Sequence, residues 1–356
     1  MVNAPALEVT EPAASGSNGN GKRNRNGSEP VAAVLAHTAD LVGPAIDREV
    51  GRLGSGLRAP VAHHLAGGGK RIRAALVLLA ARAAGGDERE AMPGAVAIEL
   101  VHNFSLLHDD LIDGDRQRRH RSTVWAEFGV GPAVVGGDAL ATLALQVLLA
   151  EPTPARVRAA ATLANATLAM ISGQADDMAF ETLSSVSVAE CLAMEAGKTG
   201  ALIECAMALG AILVGAPEPV IEALQDFGAC LGTAFQAIDD LLGIWGDPAV
   251  TGKPIGSDLL AGKKTLPVAM ALAGLDGQAG ELRDLLDRRW SPAGMSEAEM
   301  ERAAWLVDAG GGRRGAADTA ATSLHQAHSA LERLPLEATA VAELAEVSRF
   351  VTERNW

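Results

Sequence analysis

Apolar residues recur at three- and four-residue intervals along almost the whole chain from residue 31 onward. This spacing places apolar side chains on one face of an α-helix, whereas a half-buried strand would require alternation with a period of two. Alternating runs rich in β-branched residues are lacking, and breaks such as AGGGK, GAPEP and SPAGMS separate the helical runs. The helical runs cover residues 31–53, 73–85, 94–113, 132–149, 156–182, 188–214, 217–242, 266–274, 280–289, 297–307, 315–334 and 336–354. We therefore predict an all-α fold, a large helical bundle in a single domain.

The composition limits both the core and the partners of such a bundle. Of the 356 residues, 48% are apolar but only 3% are aromatic and Tyr is absent, so the core must be mostly aliphatic. The formal net charge of −14 argues against a general nucleic-acid binder. Cys191, Cys205 and Cys230 show no metal-type spacing, and we expect them to be reduced and buried in a cytoplasmic protein.

The two ends of the folded region follow from composition. Residues 1–30 are rich in Gly, Ser, Asn and Pro, which predicts a disordered tail, and residues 31–356 form the domain. The basic cluster at 22–25 is a solvated tail or a docking peptide for a partner or compartment. We see no secretory signal. The most apolar run, 131–150, contains Asp138 and three glycines, which favours a buried core helix over stable membrane insertion.

An acidic motif, LLHDDLIDGD at residues 106–115, follows an apolar run. Asp109 and Asp113 are four residues apart and therefore stack on one helix face, with Asp110 adjacent. Carboxylates this close repel one another near a core unless a cation compensates them. Mg²⁺ fits because it takes few protein carboxylates and completes its shell with water and phosphate oxygens. The alternative is a solvated helix face with a capping cluster.

Basic residues follow this motif directly, in DRQRRHRSTVW. The arginines are Arg116, Arg118, Arg119 and Arg121. Guanidinium forks beside acidic metal ligands suit a polyphosphate, although surface ion pairs with the aspartates are the simpler alternative.

A second acidic motif, FQAIDDLLGIWGD at residues 235–247, repeats the arrangement. Gln236, Asp239 and Asp240 lie on an apolar helix that could face the first acidic helix across a cavity. The Gly-rich segment after it, TGKPIGSDLLAGKKTLP, can approach an anion closely or form an ordinary surface turn. It carries Lys253, Asp258, Lys263 and Lys264.

Three smaller groups of polar residues complete the set. GGGKRIRAA at residues 67–75 carries Lys70, Arg71 and Arg73 at a helix start, a plausible phosphate site or solvated charge. GQADD places Gln174 and Asp177 about one helical turn apart. GKTG places Lys198 and Thr199 at a predicted kink between two glycines.

Taken in order, these motifs resemble the trans-isoprenyl diphosphate synthases of the polyprenyl synthetase family. The motifs are GGGKRIR, HNFSLLHDDLIDGDRQRR, GQADD, GKTG, FQAIDDLLG and GKPIGSDLLAGKKTLP, which span about residues 60–270. The resemblance implies an all-α bundle around a deep central cavity, usually a homodimer. It implies Mg²⁺-dependent condensation of isopentenyl diphosphate with dimethylallyl, geranyl or farnesyl diphosphate to a short all-trans product.

The resemblance also assigns roles to the matching residues. The metal ligands would be Asp109, Asp113 and Asp239, holding three Mg²⁺ per active site. Asp110 would support the first two ligands, and Asp240 and Asp258 would act near the third ion through water. The isopentenyl diphosphate site would comprise Lys70, Arg73, His102 and Arg119. The allylic diphosphate site would comprise Arg118, Lys198, Lys253 and, nearby, Lys263. Thr199 and Gln236 would face the developing carbocation.

Two positions depart from the family pattern. Gly243 stands where the second motif has its fifth-position acid, which puts the affinity of the third metal site in doubt. Asp247 lies beyond it on a glycine-containing segment that we do not expect to reach the site. His120 follows the arginine pair where glycine is common, so we expect a locally different turn.

Product length in this family depends on bulk below the first motif. Phe104 and Ser105 precede Asp109 by five and four residues. An aromatic residue followed by a small one resembles synthases of geranylgeranyl diphosphate, with farnesyl diphosphate as the near alternative. Phe104 could instead be ordinary core packing.

Two other functions stay open. A class I terpene cyclase shares the metal-triggered ionisation but has no second substrate site, and Lys70, Arg73 and Arg119 argue against it. A non-catalytic regulatory or scaffold subunit of the same fold gains some support from Gly243.

Overall fold

The computed structural model describes residues 29–183, 185–248, 252, 254–275, 277–291 and 293–353. Within these residues the chain is an all-α bundle with a single two-stranded hairpin, which confirms the predicted fold class. Residues 1–28 lie outside the described part, so the predicted tail stays a prediction.

Sixteen α-helices are present in the described residues. The first eight are α1 Glu29–Val50, α2 Ser55–Leu65, α3 Ile72–Ala83, α4 Glu88–Ile112, α5 Val124–Phe128, α6 Val130–Leu149, α7 Pro154–Phe180 and α8 Val188–Glu195. The others are α9 Ala201–Leu213, α10 Glu218–Trp245, α11 Ser257–Leu260, α12 Leu266–Gly274, α13 Ala279–Leu286, α14 Glu297–Ala309, α15 Gly312–Leu331 and α16 Ala338–Thr352. A π-helical turn, Ala196–Gly200, joins α8 to α9, and a 3₁₀ turn, Asp287–Trp290, follows α13.

The π-helical turn divides the predicted run 188–214 at the glycines of GKTG, as the sequence predicted for a kink. The antiparallel hairpin between α4 and α5 was not predicted. Its strands are β1 Gln117–Arg118 and β2 Arg121–Ser122, with Gln117 opposite Ser122. Helix α2 was also missed, because only Pro60 and Val61 of its residues are buried and its apolar periodicity is weak.

The core is organised around α9, which packs against α3, α4, α7 and α10. Its residues are buried on every side, which matches an apolar composition around the whole helix. Around this centre α4 packs on α6, and α10 packs on α15. Cys191 and Cys205 are buried, as predicted, but Cys230 is only half-buried because it lies on the outer side of α10.

Glycine lets the central helices approach closely. A Cβ on Gly210 of α9 would lie 2.2 Å from the carbonyl oxygen of Val77 and 2.7 Å from Cβ of Ala80, both in α3. Real carbon atoms do not approach this closely, so the α3–α9 distance depends on the missing side chain. The small residues that dominate the composition therefore determine how the bundle packs.

Among the residues that the structure describes, two segments are long and apolar enough to cross a membrane by length and composition. They are Val130–Leu149 and Val188–Leu213, of which 39% and 67% of the tested window is buried inside the molecule. Val130–Leu149 is α6, which packs on α4, α5 and α7 within the bundle. The helix predicted at 131–150 is therefore present, but only one face of it is buried, whereas the sequence predicted a buried core helix.

Replacing Gly210 by Ala should destabilise the protein by about 1–3 kcal/mol, because the added methyl group overpacks the α3–α9 contact. Gly43→Ala in α1 is the matched control, since nothing lies within 4 Å of its added Cβ. It should stabilise by about 0.5–1 kcal/mol through helix propensity alone. Urea unfolding followed by circular dichroism measures both, and equal effects at the two sites would refute the packing argument.

Candidate active site

A cavity of about 1560 Å³ opens between α3, α4, α7, α10 and α16. Asp109 of α4 and Asp239 of α10 both line it, so the two acidic motifs contribute to one cavity. The predicted site residues that line it are Lys70, Arg73, His102, Phe104, Ser105, Asp109, Arg118, Arg119, Lys198, Thr199, Gln236 and Asp239. Gln174 lines it as well.

Five predicted residues that the structure describes do not line the main cavity: Asp110, Asp113, Asp240, Asp258 and Lys263. An adjoining pocket of about 80 Å³ is bordered by Asp240, Asp258 and Lys263, and it shares Lys198, Thr199 and Gln236 with the main cavity. Asp113 forms the exposed C-cap of α4. Lys253 lies outside the described residues.

Burial and neighbouring charges shift the pKa values of two ionisable side chains near the first acidic motif, Asp109 and Lys263. Burial raises the pKa of Asp109 to about 6; the ammonium of Lys198 acts against this rise, and the neighbouring charge of Asp113 adds to it. Burial would lower the pKa of Lys263, but nearby carboxylates, of which Asp113 and Asp258 act most strongly, raise it. This region therefore gathers negative charge that additional cations would stabilise.

Asp110 faces away from the cavity and anchors an arginine. Its side chain is 1% exposed, and its Oδ1 accepts a hydrogen bond from Nε of Arg118 at 2.6 Å. Arg118 and Arg119 reach the cavity from the hairpin, whose two turn residues, Arg119 and His120, have φ values of 52° and 61°. Both values match a type I′ turn, which favours Gly or Asn, so His120 occupies a strained position where we expected a different turn.

A buried carboxylate that the sequence analysis missed organises the basic side of the cavity. Glu99 is 3% exposed; its Oε2 accepts a hydrogen bond from Nη1 of Arg71 at 3.1 Å, and its Oε1 accepts one from the backbone N–H of Ala74 at 3.2 Å. Arg71 has φ of 53° at the N-cap of α3. Glu99 therefore fixes the start of α3, which carries Lys70 and Arg73 next to it. An acid inside the apolar run AVAIELVHNF was the available signal.

Arg73 and His102 meet on this basic side. Nη1 of Arg73 lies 3.4 Å from Nε2 of His102. Burial, followed by the charge of Arg73, holds the pKa of His102 well below its ordinary value. His102 is therefore neutral near pH 7 and can accept a hydrogen bond from the guanidinium.

A chain of hydrogen bonds holds the predicted cation-facing groups. Oγ1 of Thr199 donates to Oε1 of Gln236 at 2.7 Å, and Nε2 of Gln236 donates to Oδ1 of Asp240 at 2.7 Å. Oδ2 of Asp240 accepts the backbone N–H of Leu266 at 2.8 Å. Asp240 is 3% exposed and borders the small pocket but not the main cavity. Its hydrogen bond orients the amide of Gln236 from the side away from the main cavity. Its predicted action near a metal stays a prediction.

The π-helical turn presents Lys198 and Thr199 to the cavity. A Cβ on Gly173 of α7 would lie 2.3 Å from the backbone nitrogen of Lys198, so α7 and this turn are in direct backbone contact. Nζ of Lys198 lies 2.5 Å from Oδ2 of Asp177. The predicted Asp177 therefore serves as the counter-ion of a lysine that lines the cavity.

Two rings line the cavity on α4, in the turns that precede and begin the first acidic motif. Phe104 is 7% exposed and packs edge-to-face on His108, with ring centroids 4.9 Å apart. Nε2 of His108 lies 3.0 Å from the carbonyl oxygen of Val134, and a Cβ on Gly137 would lie 2.3 Å from the same nitrogen. Helix α6 thus holds His108, and His108 holds Phe104. His108 was not predicted as a site residue, although the sequence places the rings of Phe104 and His108 four residues apart on one predicted helix.

The last helix was also missed as part of the site. Four residues of its C-terminal part and the following turn line the cavity: Glu346, Arg349, Phe350 and Glu353. Nζ of Lys70 lies 4.7 Å from the centroid of the Phe350 ring. The C-terminal region therefore covers the basic side of the cavity.

The residues present fit divalent cations shared with a phosphate ligand. Asp109 and Asp239 offer hard carboxylate oxygens from two different helices that line the same cavity. Within the described part of the chain, no three His, Cys, Asp or Glu side chains form a complete metal shell among themselves. A metal ion here would need ligand or water oxygens, as Mg²⁺ prefers.

Comparisons with known proteins agree with the geometry. Residues 55–301 match the model of the polyprenyl synthetase family. The chain is 43% identical over 335 residues to a (2E,6E)-farnesyl diphosphate synthase of Mycobacterium bovis, covering 90% of this chain and 93% of the relative. It is 42% identical over 336 residues to a geranylgeranyl diphosphate synthase of Mycobacterium tuberculosis, covering 91% and 94%. A solved polyprenyl synthetase from Streptomyces coelicolor gives a TM-score of 0.86 at 42% identity, covering 90% of this chain and 99% of that one.

Glu99→Gln should lower the free energy of unfolding by about 3 kcal/mol, because it leaves the guanidinium of Arg71, which is 13% exposed, without its counter-charge. Glu218→Gln, which breaks the exposed pair with Arg158, is the control and should change the free energy of unfolding much less. Urea titrations of the two variants measure the difference. Comparable losses would mean that Glu99 does not hold the start of α3.

Proposed function

The chain belongs to the polyprenyl synthetase family and is a prenyltransferase of the short-chain trans-isoprenyl diphosphate synthase class, and we propose that it makes geranylgeranyl diphosphate. Isopentenyl diphosphate would be condensed with dimethylallyl, geranyl or farnesyl diphosphate, and farnesyl diphosphate is the alternative product. The observation that carries the proposal is one cavity with a cluster of cations, two acidic helices and an aromatic floor.

The basic side of the cavity would bind isopentenyl diphosphate. Lys70, Arg73 and Arg119 supply positive charge, and neutral His102 beside Arg73 avoids adding a further buried charge. Guanidinium groups bind phosphate oxygens through paired N–H donors, which orients the substrate as well as attracting it.

The opposite side would bind the allylic diphosphate. Arg118, held by Asp110, and Lys198, held by Asp177, face this part of the cavity. Lys253, outside the described residues, and Lys263 are proposed to add to it. Because each described lysine or arginine already has an acidic neighbour, its position is set before the substrate arrives.

The family is a Mg²⁺-dependent class of prenyl diphosphate synthases, and we propose Asp109, Asp113 and Asp239 as ligands, with three ions per site. Bound Mg²⁺ would stabilise the negative charge that builds on the departing pyrophosphate. The chain's own cations share this task from the other oxygens of the same group.

Thr199 and Gln236 would stabilise the positive charge left on the allylic fragment. Asp240 fixes the Gln236 amide so that its carbonyl oxygen points toward Thr199 and the cavity. Oxygen dipoles held in place before ionisation cost no reorganisation when the charge develops. The alkene of isopentenyl diphosphate then attacks the cation, and the proton lost is transferred to a pyrophosphate oxygen. The apolar lower cavity keeps water from the cation.

Product length would be set by Phe104. It lies five residues below Asp109 on α4, a descent of about 7.5 Å along the helix axis. Ser105 lines the cavity beside it and leaves space for the growing chain, while His108 prevents the Phe104 ring from moving aside. The similar relatives include a farnesyl and a geranylgeranyl diphosphate synthase, so they do not distinguish the two products. The proposal of geranylgeranyl diphosphate therefore rests on Phe104 and Ser105.

Mass spectrometry of products formed from each allylic primer with isopentenyl diphosphate and Mg²⁺ tests this function. We expect geranylgeranyl diphosphate from the wild type and longer products from Phe104→Ala, because the truncated side chain opens the floor. Leu148→Ala, at a fully buried core position outside the cavity, controls for general loosening and should leave product length unchanged. An identical product ladder for wild type and Phe104→Ala would contradict the proposed floor, and no consumption of isopentenyl diphosphate would contradict the function.

We also propose that the chain forms a homodimer through α7. Four exposed apolar residues that do not line the cavity recur on this helix at intervals of four, three and four residues: Val157, Ala161, Ala164 and Leu168. This is the spacing of a coiled-coil seam, and Leu168 is 65% exposed in the single chain. A two-fold axis would bury the same seam on both copies. A cytoplasmic location and a docking role of residues 1–30 stay predictions.

Leu168→Glu should weaken the dimer at least about tenfold, because symmetry places two unpaired carboxylates in one apolar interface. Trp305→Glu on α14, also at an exposed apolar position, is the control and should leave association unchanged. Sedimentation velocity over a concentration series distinguishes them. Dimers of equal strength in both variants would place the interface elsewhere.

A further inference from the structure

The position beside Gly243 is already filled by a carboxylate. A Cβ added to Gly243 would lie 1.9 Å from Oδ2 of Asp258 and 2.4 Å from its Cγ. The carboxyl group of Asp258 therefore occupies the volume that the first atoms of any side chain at 243 would take. The absence of an acid at the fifth position of the second motif therefore leaves no empty space beside Gly243.

Two contacts to the end of α10 fix Asp258 in this place. The backbone N–H of Gly256 donates to the carbonyl oxygen of Ile244 at 3.1 Å, and Oγ of Ser257 donates to that of Gly243 at 3.3 Å. Gly256 has φ of 71°, a left-handed conformation that turns the chain into α11. Leu259, fully buried in one apolar cluster with Ile244, anchors the other side of that short helix.

The face of α10 involved is the one that carries Asp239. Residues 239 and 243 are four apart, so a side chain at position 243 would point the same way as that of Asp239, one helical turn from it. Asp258 borders the small pocket that also touches Lys198 and Gln236, both of which line the main cavity. Its carboxylate thus enters the acidic stripe of α10 from a neighbouring segment.

We propose that Asp258 supplies the carboxylate that Gly243 lacks, pairing with Asp239 at the α10 side of the metal and diphosphate site, and that glycine at 243 is what admits it. This inference rests on the proposed function. The carboxylate of Asp258 is not part of the second motif, because it belongs to α11 and the motif lies in α10. It also removes the reason to read Gly243 as the mark of a non-catalytic subunit.

Asp247 is the rival source of the missing charge. It lies four residues after Gly243 and is exposed, and it lines the main cavity, so the expectation that its segment would not reach the site was wrong. Helix α10 ends at Trp245, however, and Gly246 is extended with ψ of 143°, so Asp247 has left the helical stripe that carries Asp239. The volume beside Gly243 belongs to Asp258 and not to Asp247.

The test compares the wild type, Asp258→Ala, Gly243→Asp and the double variant; alanine is used because it removes the three atoms of Asp258 nearest to position 243. The measured quantity is the Mg²⁺ concentration that gives half of the maximal rise in melting temperature at fixed inorganic pyrophosphate. In the wild-type background, Asp258→Ala should raise that concentration about tenfold or more. In the Gly243→Asp background the same change should raise it less than about threefold, since a carboxylate at 243 replaces the lost one.

Asp247→Asn in the same two backgrounds is the matched control, and its effect should be equal in both. Rescue of Asp247→Asn, but not of Asp258→Ala, by Gly243→Asp would overturn the proposal in favour of Asp247. An equal effect of Asp258→Ala in both backgrounds, or an effect on the metal-free melting temperature alone, would also overturn it. A wild type that gains no stability from Mg²⁺ and pyrophosphate would overturn the proposed function and this inference together.

Discussion

The structure depends on placing many charges inside an apolar helical bundle without leaving any large group of them uncompensated. Moving a lone charge from water to such an interior is costly, and breaking a buried pair costs more than the pair contributes. Around the cavity the bundle meets this constraint with pairs: Asp110 with Arg118, Asp177 with Lys198, and Glu99 with Arg71. Each pair also holds one side chain or helix end that shapes the substrate site.

The same constraint explains why the two adjacent aspartates of each acidic motif have different environments. In each motif one carboxylate, Asp110 or Asp240, is buried and fixed by protein donors, while its neighbour, Asp109 or Asp239, lines the cavity. The inner acids orient Arg118 and Gln236. The outer acids line the cavity, where burial raises the pKa of the Asp109 carboxyl and the ammonium of Lys198 acts against this rise.

Much of the fold and site could be predicted because the signals are local. Helical periodicity needs only neighbouring residues, so the all-α class, α10 and the interruption at GKTG followed from it. The acidic and basic motifs each carry their chemistry within a few positions. Glu99 and His108 escaped because their roles come from partners 28 and 26 residues away, Arg71 and the Val134 carbonyl. Phe350 and Arg349 escaped because only the tertiary fold brings α16 over the cavity. Gly243 looked like a defect because the group that fills its space lies 15 residues downstream in a separate helix.

The central claim is that carboxylates on two opposed helices bind divalent ions around one diphosphate. Anomalous diffraction from crystals grown with Mn²⁺, as a stand-in for Mg²⁺, and inorganic pyrophosphate tests it most directly. The account predicts Mn²⁺ peaks on Asp109 and on Asp239, bridged by the same pyrophosphate, with Arg118 and Lys198 on its remaining oxygens. Peaks confined to one helix, or a pyrophosphate bound away from both aspartates, would contradict it.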